Sequence, residues 1–251
     1  MTAAAPVALI TGVGKRRVGW HLADALLARG YRLALQYRTS SEVADELVAT
    51  AKAKKLDAIA LHADVTDEAS VHSMVDATLK RFGQIDVLVN AAAIWQRKKL
   101  EETTAADVRL HFETNALGTF LVAQRVGLAM VRQASGGSII NIGDWAEVRP
   151  YLNYAAYFPS KGAVMAITRS LAVELGTRNP RVRVNCVMPG PVMLPEDMPD
   201  EERQQAIDAT LVKREGRPNN ITLAVLHFID NDFVTGTDLP VDGGRTVYAP
   251  E

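Results

Sequence analysis

The chain has 251 residues, a formal net charge of -1, 48% hydrophobic residues and 23% charged residues. This length is compatible with one large α/β domain that needs no disulfide or metal to hold its core, and the near-zero charge argues against the basic field typical of nucleic-acid binding. Cys186 is the only cysteine, which excludes an intrachain disulfide and a cysteine-built metal cluster. The five histidines show no metal-ligand spacing, so no metal site is expected.

No apolar run approaches the roughly 20 residues of a membrane span. The first residues, MTAAAPVALITG, enter a strand-like run directly and lack the pattern of a secretory leader. We therefore expect a cytoplasmic protein that binds neither membrane nor nucleic acid.

Short apolar runs alternate with longer stretches of helical periodicity along the whole chain. Buried strands that alternate with helices predict βαβ units in a parallel sheet, with right-handed crossovers that place helices on both faces. We predict a single domain, residues 1–251, built on a doubly wound parallel sheet of about seven strands. The predicted strands are 7–11, 33–37, 58–64, 87–90, 138–142, 182–189 and 238–241, and the predicted helices lie near 18–29, 41–54, 67–82, 104–132, 154–176 and 200–229.

Ligands of such sheets bind beyond the carboxyl ends of the strands, so the loop after the first strand is the first candidate site. This loop reads TGVGKRRVG, and its glycines do not match the spacing of a three-glycine dinucleotide fingerprint. Read backward from the helix, Arg17-Val18-Gly19 occupies the place of a Gly-x-Gly, and the helix N-terminus would face an anion. The alternative is an ordinary strand-to-helix turn with solvated basic residues.

The second strand ends in LQYRTSSE, where nicotinamide sites that select NAD usually carry an acidic residue. Here the first acid is Glu42, and Tyr37 and Arg38 precede it. A carboxylate would repel a 2′-phosphate, whereas an arginine can grip it with two hydrogen bonds. We therefore predict an NADP(H) site in which Arg17, Arg38, Thr39 and Ser40 form a cradle for the 2′-phosphate, with a solvated role still open for Lys15 and Arg16.

Tyr157 and Lys161 are four residues apart, so they share one face of the helix that follows the fifth predicted strand. Other motifs along the chain are TG (11–12), ADV (63–65), VLVNAAA (87–93), ETNALGTF with Asn115, VRVNCVMPG (182–190) and TGTDLPVDGG (235–244). Together they resemble the short-chain dehydrogenase/reductase family over nearly the whole length.

The resemblance implies a Rossmann-like fold and hydride transfer from a nicotinamide cofactor, with Tyr157 donating or relaying a proton. A nearby Lys161 ammonium is expected to lower the pKa of Tyr157 from its usual value near 10. The resemblance also assigns Lys161 to the nicotinamide ribose and Asn115 to a water and proton path, although Asn115 could simply hydrogen-bond across a helix face. The expected cofactor residues are Gly12, Lys15, Arg16, Arg17, Val18, Tyr37, Arg38, Thr39, Ser40, Asp64, Val65, Asn90, Ala91, Ala92, Tyr157, Lys161, Pro189, Gly190 and Val192.

Thirteen positions before Tyr157, where the family usually has a serine, this chain has Asp144. An ionised carboxylate only accepts hydrogen bonds, which suits a substrate with N–H donors, and a carboxyl of raised pKa could donate a proton to a ring nitrogen. Either role favours an N-heterocycle with a reducible C=N bond; the alternative is a surface aspartate without a role. With the arginine-containing first loop, Asp144 makes the chain resemble the pteridine reductases and related dihydropterin and dihydrofolate reductases, although this loop is one residue longer than theirs.

Those enzymes stack the pterin against an aromatic ring after the fourth strand, and that position falls on Ile94 with Trp95 beside it. The segment at about 190–210 is rich in proline and methionine and is predicted to cover the substrate as a lid. The candidate substrate residues are Ile94, Trp95, Asp144, Tyr157, Met193, Leu194 and Met198.

Three functional hypotheses follow for this chain. The leading one is an NADPH-dependent reductase of a pteridine-like small molecule (dihydropterin, biopterin or dihydrofolate). The alternative is a carbonyl reductase for ketones or 3-oxoacyl thioesters, and the third is a non-catalytic NADP(H)-binding regulator. The family resemblance further implies a homotetramer, or a dimer, built through the helices at 104–132 and 154–176.

Overall fold

Seven parallel strands form the centre of the protein. The computed structural model describes residues 5–248, so the predicted boundaries 1–251 extend beyond the described residues at both ends. The strands are β1 (Val7–Ile10), β2 (Arg32–Tyr37), β3 (Ala58–His62), β4 (Val87–Asn90), β5 (Gly137–Ile142), β6 (Val182–Pro189) and β7 (Asp238–Val241). Their order is β3-β2-β1-β4-β5-β6-β7, and every neighbouring pair is parallel. The predicted doubly wound sheet is therefore confirmed.

Helices cover both faces of this sheet. They are α1 (Val18–Ala28), α2 (Glu42–Ala53), α3 (Glu68–Phe82), α4 (Ala105–His111), α5 (Gly118–Val131), α6 (Tyr157–Gly176), α7 (Asp200–Asp208) and α8 (Pro218–Asp230). A cluster from α3, α5 and α6 packs on one face, with Val126 and Leu171 among its buried side chains. A second cluster from α1, α2 and α8 packs on the other face and includes Leu22 and Phe228. All four residues of β1 are buried between these layers, as expected for a central parallel strand.

Two predicted helices differ from the observed ones. The stretch at 104–132 is interrupted by a π-helical turn, Phe112–Leu117, between α4 and α5. The stretch at 200–229 is divided into α7 and α8, because the chain turns at Lys213, whose φ of +51° lies in the left-handed region, and Pro218 then starts a new helix.

The carboxyl ends of β1, β2 and β4 are tied together by buried side chains. Thr11 Oγ1 accepts hydrogen bonds from the Ala91 and Ala92 N–H groups at 3.0 and 3.1 Å. Gln36 Oε1 accepts from Gly12 N at 2.8 Å, and its amide nitrogen donates to the Ala63 carbonyl at 2.6 Å. These contacts fix the edge of the sheet at which the candidate motifs meet.

Candidate active site

Tyr157 and Asp144 are in direct contact at the carboxyl end of β5. Asp144 follows this strand, and Tyr157 is the first residue of α6. The Tyr157 hydroxyl donates to Asp144 Oδ2 at 2.7 Å, while Asp144 Oδ1 accepts from the Ala146 N–H at 2.8 Å. Tyr157 is buried, with 5% of its surface exposed. The carboxyl group thus faces the phenol and not the outer surface.

The pKa of Tyr157 moves in the direction opposite to our expectation. Burial raises the pKa of Tyr157 well above its usual value of 10, and the neighbouring Asp144 raises it further. The expected lowering of this pKa is therefore wrong in direction, because removal from water and the adjacent Asp144 dominate the shift. Burial also raises the pKa of Asp144, against the hydrogen bonds from Ala146 and Tyr157. Tyr157 is accordingly held as a phenol that carries a proton to donate.

Lys161 lies one helical turn beyond Tyr157 and is buried. Its ammonium donates to the Ile142 carbonyl at the end of β5 at 2.7 Å. Burial lowers the pKa of Lys161, and the acidic neighbours Asp144 and Glu147 oppose that shift. An ammonium has three N–H donors, so this single bond leaves donors for the hydroxyls of a ribose.

Asn115 braces the loop that follows β4 against α6. It lies in the π-helical turn, accepts from Ile94 N at 2.8 Å, and donates to Ile94 O and to Ser160 Oγ, both at 3.0 Å. Ser160 in turn donates to the Tyr157 carbonyl at 2.6 Å. The observed contacts are those of a positioning residue, and a role in a water and proton path stays a prediction.

Glu147 is a further acidic residue of this site that we did not predict. It ends a 3₁₀ turn, Trp145–Glu147, and its Oε1 accepts from Asp144 N at 2.8 Å. Its Oε2 is buried and has no hydrogen-bond partner within residues 5–248. Burial raises the pKa of Glu147 to about 8, with Asp144 adding to the shift and Lys161 opposing it. The spacing Asp-x-x-Glu is that of a capping box and was the available signal in the sequence.

Aromatic side chains line the approach to Tyr157. Trp95 stacks on Tyr154 with ring centroids 4.9 Å apart and an interplanar angle of 9°. Tyr154 meets Tyr157 edge-on at 6.3 Å. The backbone of Ile94 is clamped by Asn115, and the Trp95 ring is 38% exposed. The Trp95 ring therefore belongs to the aromatic group beside the phenol and leaves part of its surface for a ligand.

The glycine loop has the geometry that a bound dinucleotide requires. Gly12 has φ +77°, and a Cβ atom there would lie 2.7 Å from the Ala92 backbone. A Cβ at Gly19 would lie 2.9 Å from Gly12 O, so α1 approaches the end of β1 closely. In the described part of the chain no side chain caps the N-terminus of α1, which leaves its first N–H groups available to a pyrophosphate. The residues present fit a dinucleotide.

The basic residues of the predicted cradle do not all behave alike. Arg38 is exposed, with Nη1 3.9 Å from Asp64 Oδ2, and Arg17 and Lys15 are also exposed. Arg16 is exposed as well, but it pairs with Glu46 at 2.5 Å and lies over the Trp20 ring. A Cβ at Gly14 would lie 3.1 Å from Ser40 O, which brings the loop against the segment with Tyr37, Thr39 and Ser40.

The remaining expected cofactor residues line the same edge of the sheet. Asn90 donates to Asn141 Oδ1 at 2.9 Å, and Asp64 Oδ1 accepts from Thr66 N at 2.9 Å. Val65 is buried and Val18 is half-buried. Pro189 ends β6, and Gly190 and Val192 follow it into the predicted lid.

The predicted lid is attached to the chain just before α8. Leu194 N donates to Glu215 Oε1 at 2.9 Å, and Arg203 of α7 pairs with the same carboxylate at 2.9 Å. Met193 has φ +56°, an uncommon conformation for a residue with a side chain. Met193, Leu194 and Met198 are all half-buried. An ion pair of 3.1 Å between Arg97 and Glu202 joins α7 to the segment after β4.

Two kinds of site are absent from the described part of the chain. Within residues 5–248, no group of three or more His, Cys, Asp or Glu side chains could hold a metal ion. Over the same range, no helix is long and apolar enough to span a membrane.

Known proteins resemble this chain along almost its whole length. A family model described as enoyl-(acyl carrier protein) reductase matches residues 12–246. The 3-oxoacyl-[acyl-carrier-protein] reductase of Rattus norvegicus is 32% identical over 239 residues, which covers 94% of this chain and 96% of the relative.

Solved structures of related enzymes have the same fold over almost the whole chain. A short-chain dehydrogenase/reductase from Serratia marcescens has a TM-score of 0.88 at 28% identity, over 96% of this chain and 98% of the other. NAD⁺-bound xylitol dehydrogenase has a TM-score of 0.86 at 29% identity, over 97% of this chain and all of the other. The chain therefore belongs to the short-chain dehydrogenase/reductase family of oxidoreductases, which use a nicotinamide cofactor.

Proposed function

We propose that this oxidoreductase is an NADP(H)-dependent carbonyl reductase for ketones or 3-oxoacyl thioesters. The observation that carries the proposal is the placement of Tyr157, a buried phenol whose hydroxyl lies 2.7 Å from Asp144 Oδ2, with Lys161 one helical turn away at the end of β5. The comparisons include 3-oxoacyl-[acyl-carrier-protein] reductases along almost the full length, and they support this alternative better than the pteridine prediction.

The reduction of a carbonyl group needs a hydride at carbon and a proton at oxygen. A nicotinamide cofactor, when bound, would supply the hydride. Tyr157 Oη donates the proton as its hydrogen turns from Asp144 Oδ2 toward the substrate oxygen. Burial raises the pKa of Asp144, and a protonated Asp144 can donate to the same oxygen, as the serine hydroxyl does in most of the family. Lys161 is held at Ile142 O, where its remaining N–H donors would orient the ribose.

The preference for NADP(H) over NAD(H) rests on charge. Arg17 and Arg38 are exposed at the carboxyl ends of β1 and β2, and Thr39 and Ser40 lie beside them. Guanidinium groups bind phosphate oxygens with paired, charge-assisted hydrogen bonds. A neutral ribose hydroxyl forms only a weaker hydrogen bond with the same group. Asp64 lies 3.9 Å from Arg38 and offsets part of this positive charge.

A second candidate is the reduction of a pteridine-like C=N bond, and Asp144 is the observation that favours it. The carboxyl group lies against the phenol at 2.7 Å, where a substrate ring with N–H donors would meet an acceptor. The half-exposed ring of Trp95 offers a flat surface nearby. A neutral dihydropterin satisfies both features.

Measuring the oxidation of NADPH by the wild-type protein distinguishes carbonyl reduction from pteridine reduction. The assay compares acetoacetyl-CoA and a panel of ketones with dihydrobiopterin and dihydrofolate. Our proposal predicts turnover with the carbonyl compounds, whereas turnover only with the dihydropterins would reject it in favour of the second candidate.

The variant Asp144→Ser sharpens this comparison. It restores the hydroxyl donor that the family usually carries, so ketone turnover should be retained or increased. A dihydropterin loses the carboxylate in the same variant and keeps only a weaker hydroxyl acceptor, so its turnover should fall. Loss of ketone turnover in Asp144→Ser would contradict the role given to this position.

Two further proposals concern the setting of the enzyme. We propose a cytoplasmic location, because the lone thiol, Cys186, is buried and needs no oxidising compartment. We also propose a homotetramer, with a dimer as the alternative, because the helical segment 105–131 exposes the apolar side chains of Leu110, Phe112 and Leu117.

A further inference from the structure

We propose that a cavity beside Trp145 binds the anionic end of the substrate, a phosphate or a carboxylate group. This inference rests on the proposed reductase function, because the anion belongs to the molecule that is reduced. The cavity has a volume of about 240 Å³. It is lined by Trp145, Arg149, Tyr151, Ala209, Arg245 and Tyr248.

The cavity adjoins the catalytic residues. Trp145 directly follows Asp144, and its ring stacks with Tyr151 at 6.1 Å. Tyr151 in turn meets the ring of Tyr154, which lies beside Tyr157, at 5.1 Å. Ala209, another lining residue, comes directly after α7 of the predicted lid. We infer that a substrate whose reacting group meets Tyr157 extends along this row of rings and places its far end in the cavity.

Arg245 carries the positive charge of the cavity. Its guanidinium lies 4.9 Å from the centroid of the Trp145 ring. Burial lowers the pKa of Arg245, and the neighbouring Arg149 lowers it further. Within residues 5–248, no carboxylate lies within ion-pair distance of Arg245, and its contact with Ala206 O is long, at 3.5 Å. Because an arginine keeps its charge in proteins, an anion would compensate this half-buried cation.

The other charged groups around the cavity fit this assignment. Arg149 is engaged by the backbone, since it donates to the carbonyls of Arg245 and Tyr248, and it therefore positions the turn that carries Arg245. Asp242 is an acid that acts on Arg245, but its carboxylate accepts from Gly244 N at 2.9 Å and from Thr246 N at 2.6 Å. Lys213 adds a positive charge over the ring of Tyr248 at 4.7 Å. The cavity is thus net positive.

The cavity is large enough for one end of a substrate but too small for a whole substrate molecule. Pockets for complete drug-sized ligands measure about 300–1,000 Å³. A phosphate on a pantetheine arm and the carboxylates of a glutamyl tail share the required chemistry. Both would accept the paired hydrogen bonds of a guanidinium while their attached atoms contact Trp145 and Tyr151.

Calorimetric titration of the full chain in the presence of NADPH tests the site directly. The probes are 4′-phosphopantetheine against pantetheine, and p-aminobenzoylglutamate against its uncharged diamide. We expect at least one anionic probe to bind tenfold or more tightly than its neutral counterpart. A preference for the phosphate assigns a thioester arm, and a preference for the carboxylate assigns a glutamyl tail.

Arg245→Gln is expected to abolish this preference, whereas the control Arg132→Gln is expected to keep it. Arg132 is an exposed arginine at the end of α5 and precedes the amino end of β5, whereas Trp145 of the cavity follows the carboxyl end of that strand. If Arg245→Gln melts below the assay temperature, Arg245→Lys replaces it and should reduce the preference at least threefold, because an ammonium cannot make the paired contact.

The site is overturned if neither anionic probe is preferred, or if the preference survives substitution of Arg245. Failure of the proposed function gives a different result. In that case the anionic probe binds through Arg245, but no carbonyl substrate oxidises NADPH.

Discussion

At the scale of single residues, Glu147 is an acid whose buried environment differs strongly from water. Its carboxyl lies beside two other titratable side chains, Asp144 and Lys161, and one of its oxygens has no hydrogen-bond partner within residues 5–248. Burial raises its pKa from the usual 4.5 to about 8. The protonated form is therefore favoured in the folded protein, and ionisation at alkaline pH opposes folding.

The variant Glu147→Gln tests this environment through the pH dependence of stability. Below pH 4.5 the folded and unfolded wild-type chains are both protonated at this position, and the stability that depends on it is lost as the pH rises toward about 8. The glutamine keeps the acceptor for Asp144 N but does not ionise. Unfolding in urea at pH 5 and pH 8.5 should show that the wild type loses at least about 1.4 kcal/mol more than the variant, the equivalent of one pKa unit. Parallel pH profiles would contradict the assignment.

Arg38 is the residue on which cofactor selectivity depends most. The variant Arg38→Asp replaces a cation with an acid at the proposed 2′-phosphate position, so the Kd for NADPH should rise tenfold or more while the Kd for NADH changes far less. Fluorescence titration with both nucleotides measures this. Lys15→Gln, at an exposed position in the same loop, serves as the control and should have a smaller effect on NADPH. Equal losses of affinity for NADPH and NADH would contradict the proposed 2′-phosphate cradle.

Features of the site that depend on neighbours in the chain could be predicted from the sequence, whereas features that depend on distant residues could not. The four-residue spacing of Tyr157 and Lys161 is local, and it indicated a shared helix face correctly. The pKa of Tyr157 depends on burial and on Asp144, which the tertiary structure brings to 2.7 Å, and its predicted direction was wrong. Arg245 is about a hundred residues from Trp145 in the chain, and no sequence motif connects them.

At the scale of elements, the junction between β6 and the predicted lid depends on a close backbone approach. A Cβ atom at Gly190 would lie 2.4 Å from the Asp242 Cα atom, which is backbone and cannot rotate away. A Cβ at Gly162 in α6 would meet nothing within 4 Å. The same substitution is therefore expected to have opposite effects at these two glycines.

Gly190→Ala should destabilise the protein by about 1–3 kcal/mol, the usual effect of forcing an extra group into a packed site. The matched variant Gly162→Ala should stabilise it by about 0.5–1 kcal/mol, because alanine is the better helix former. Urea unfolding of both variants at one pH measures the difference. Equal free energies of unfolding for the two variants would contradict this prediction. They would mean that the end of β6 can move away from Asp242 without a loss of stability.

The elements themselves were predicted well wherever hydrophobic periodicity was clear. The strands β4, β6 and β7 have the bounds that the sequence indicated. The π-helical turn at Phe112–Leu117 was not predictable, because its residues continue the periodicity of the flanking helices. It places Asn115 against Ile94 and Ser160, so the missed irregularity lies next to the site.

At the scale of the whole molecule, the number of chains in the particle is the open prediction. Leu110, Phe112 and Leu117 are each exposed by 38–43% on the helical segment that was expected to pack against another copy. Light scattering coupled to gel filtration should give a particle of four chains, and Phe112→Glu should shift it to smaller particles by placing a charge in an apolar contact. A wild-type particle of one chain would contradict the proposal.

The central claim is that Tyr157 donates the proton during reduction, and the most direct measurement is NADPH oxidation by the wild type and by Tyr157→Phe with acetoacetyl-CoA. General acid catalysis contributes about 10²–10⁴ to a rate. We predict a loss of kcat of at least a hundredfold in Tyr157→Phe, while the variant still binds NADPH. NADPH binding without any turnover in the wild type, or equal kcat values for the two proteins, would contradict the account and favour a non-catalytic NADP(H)-binding regulator.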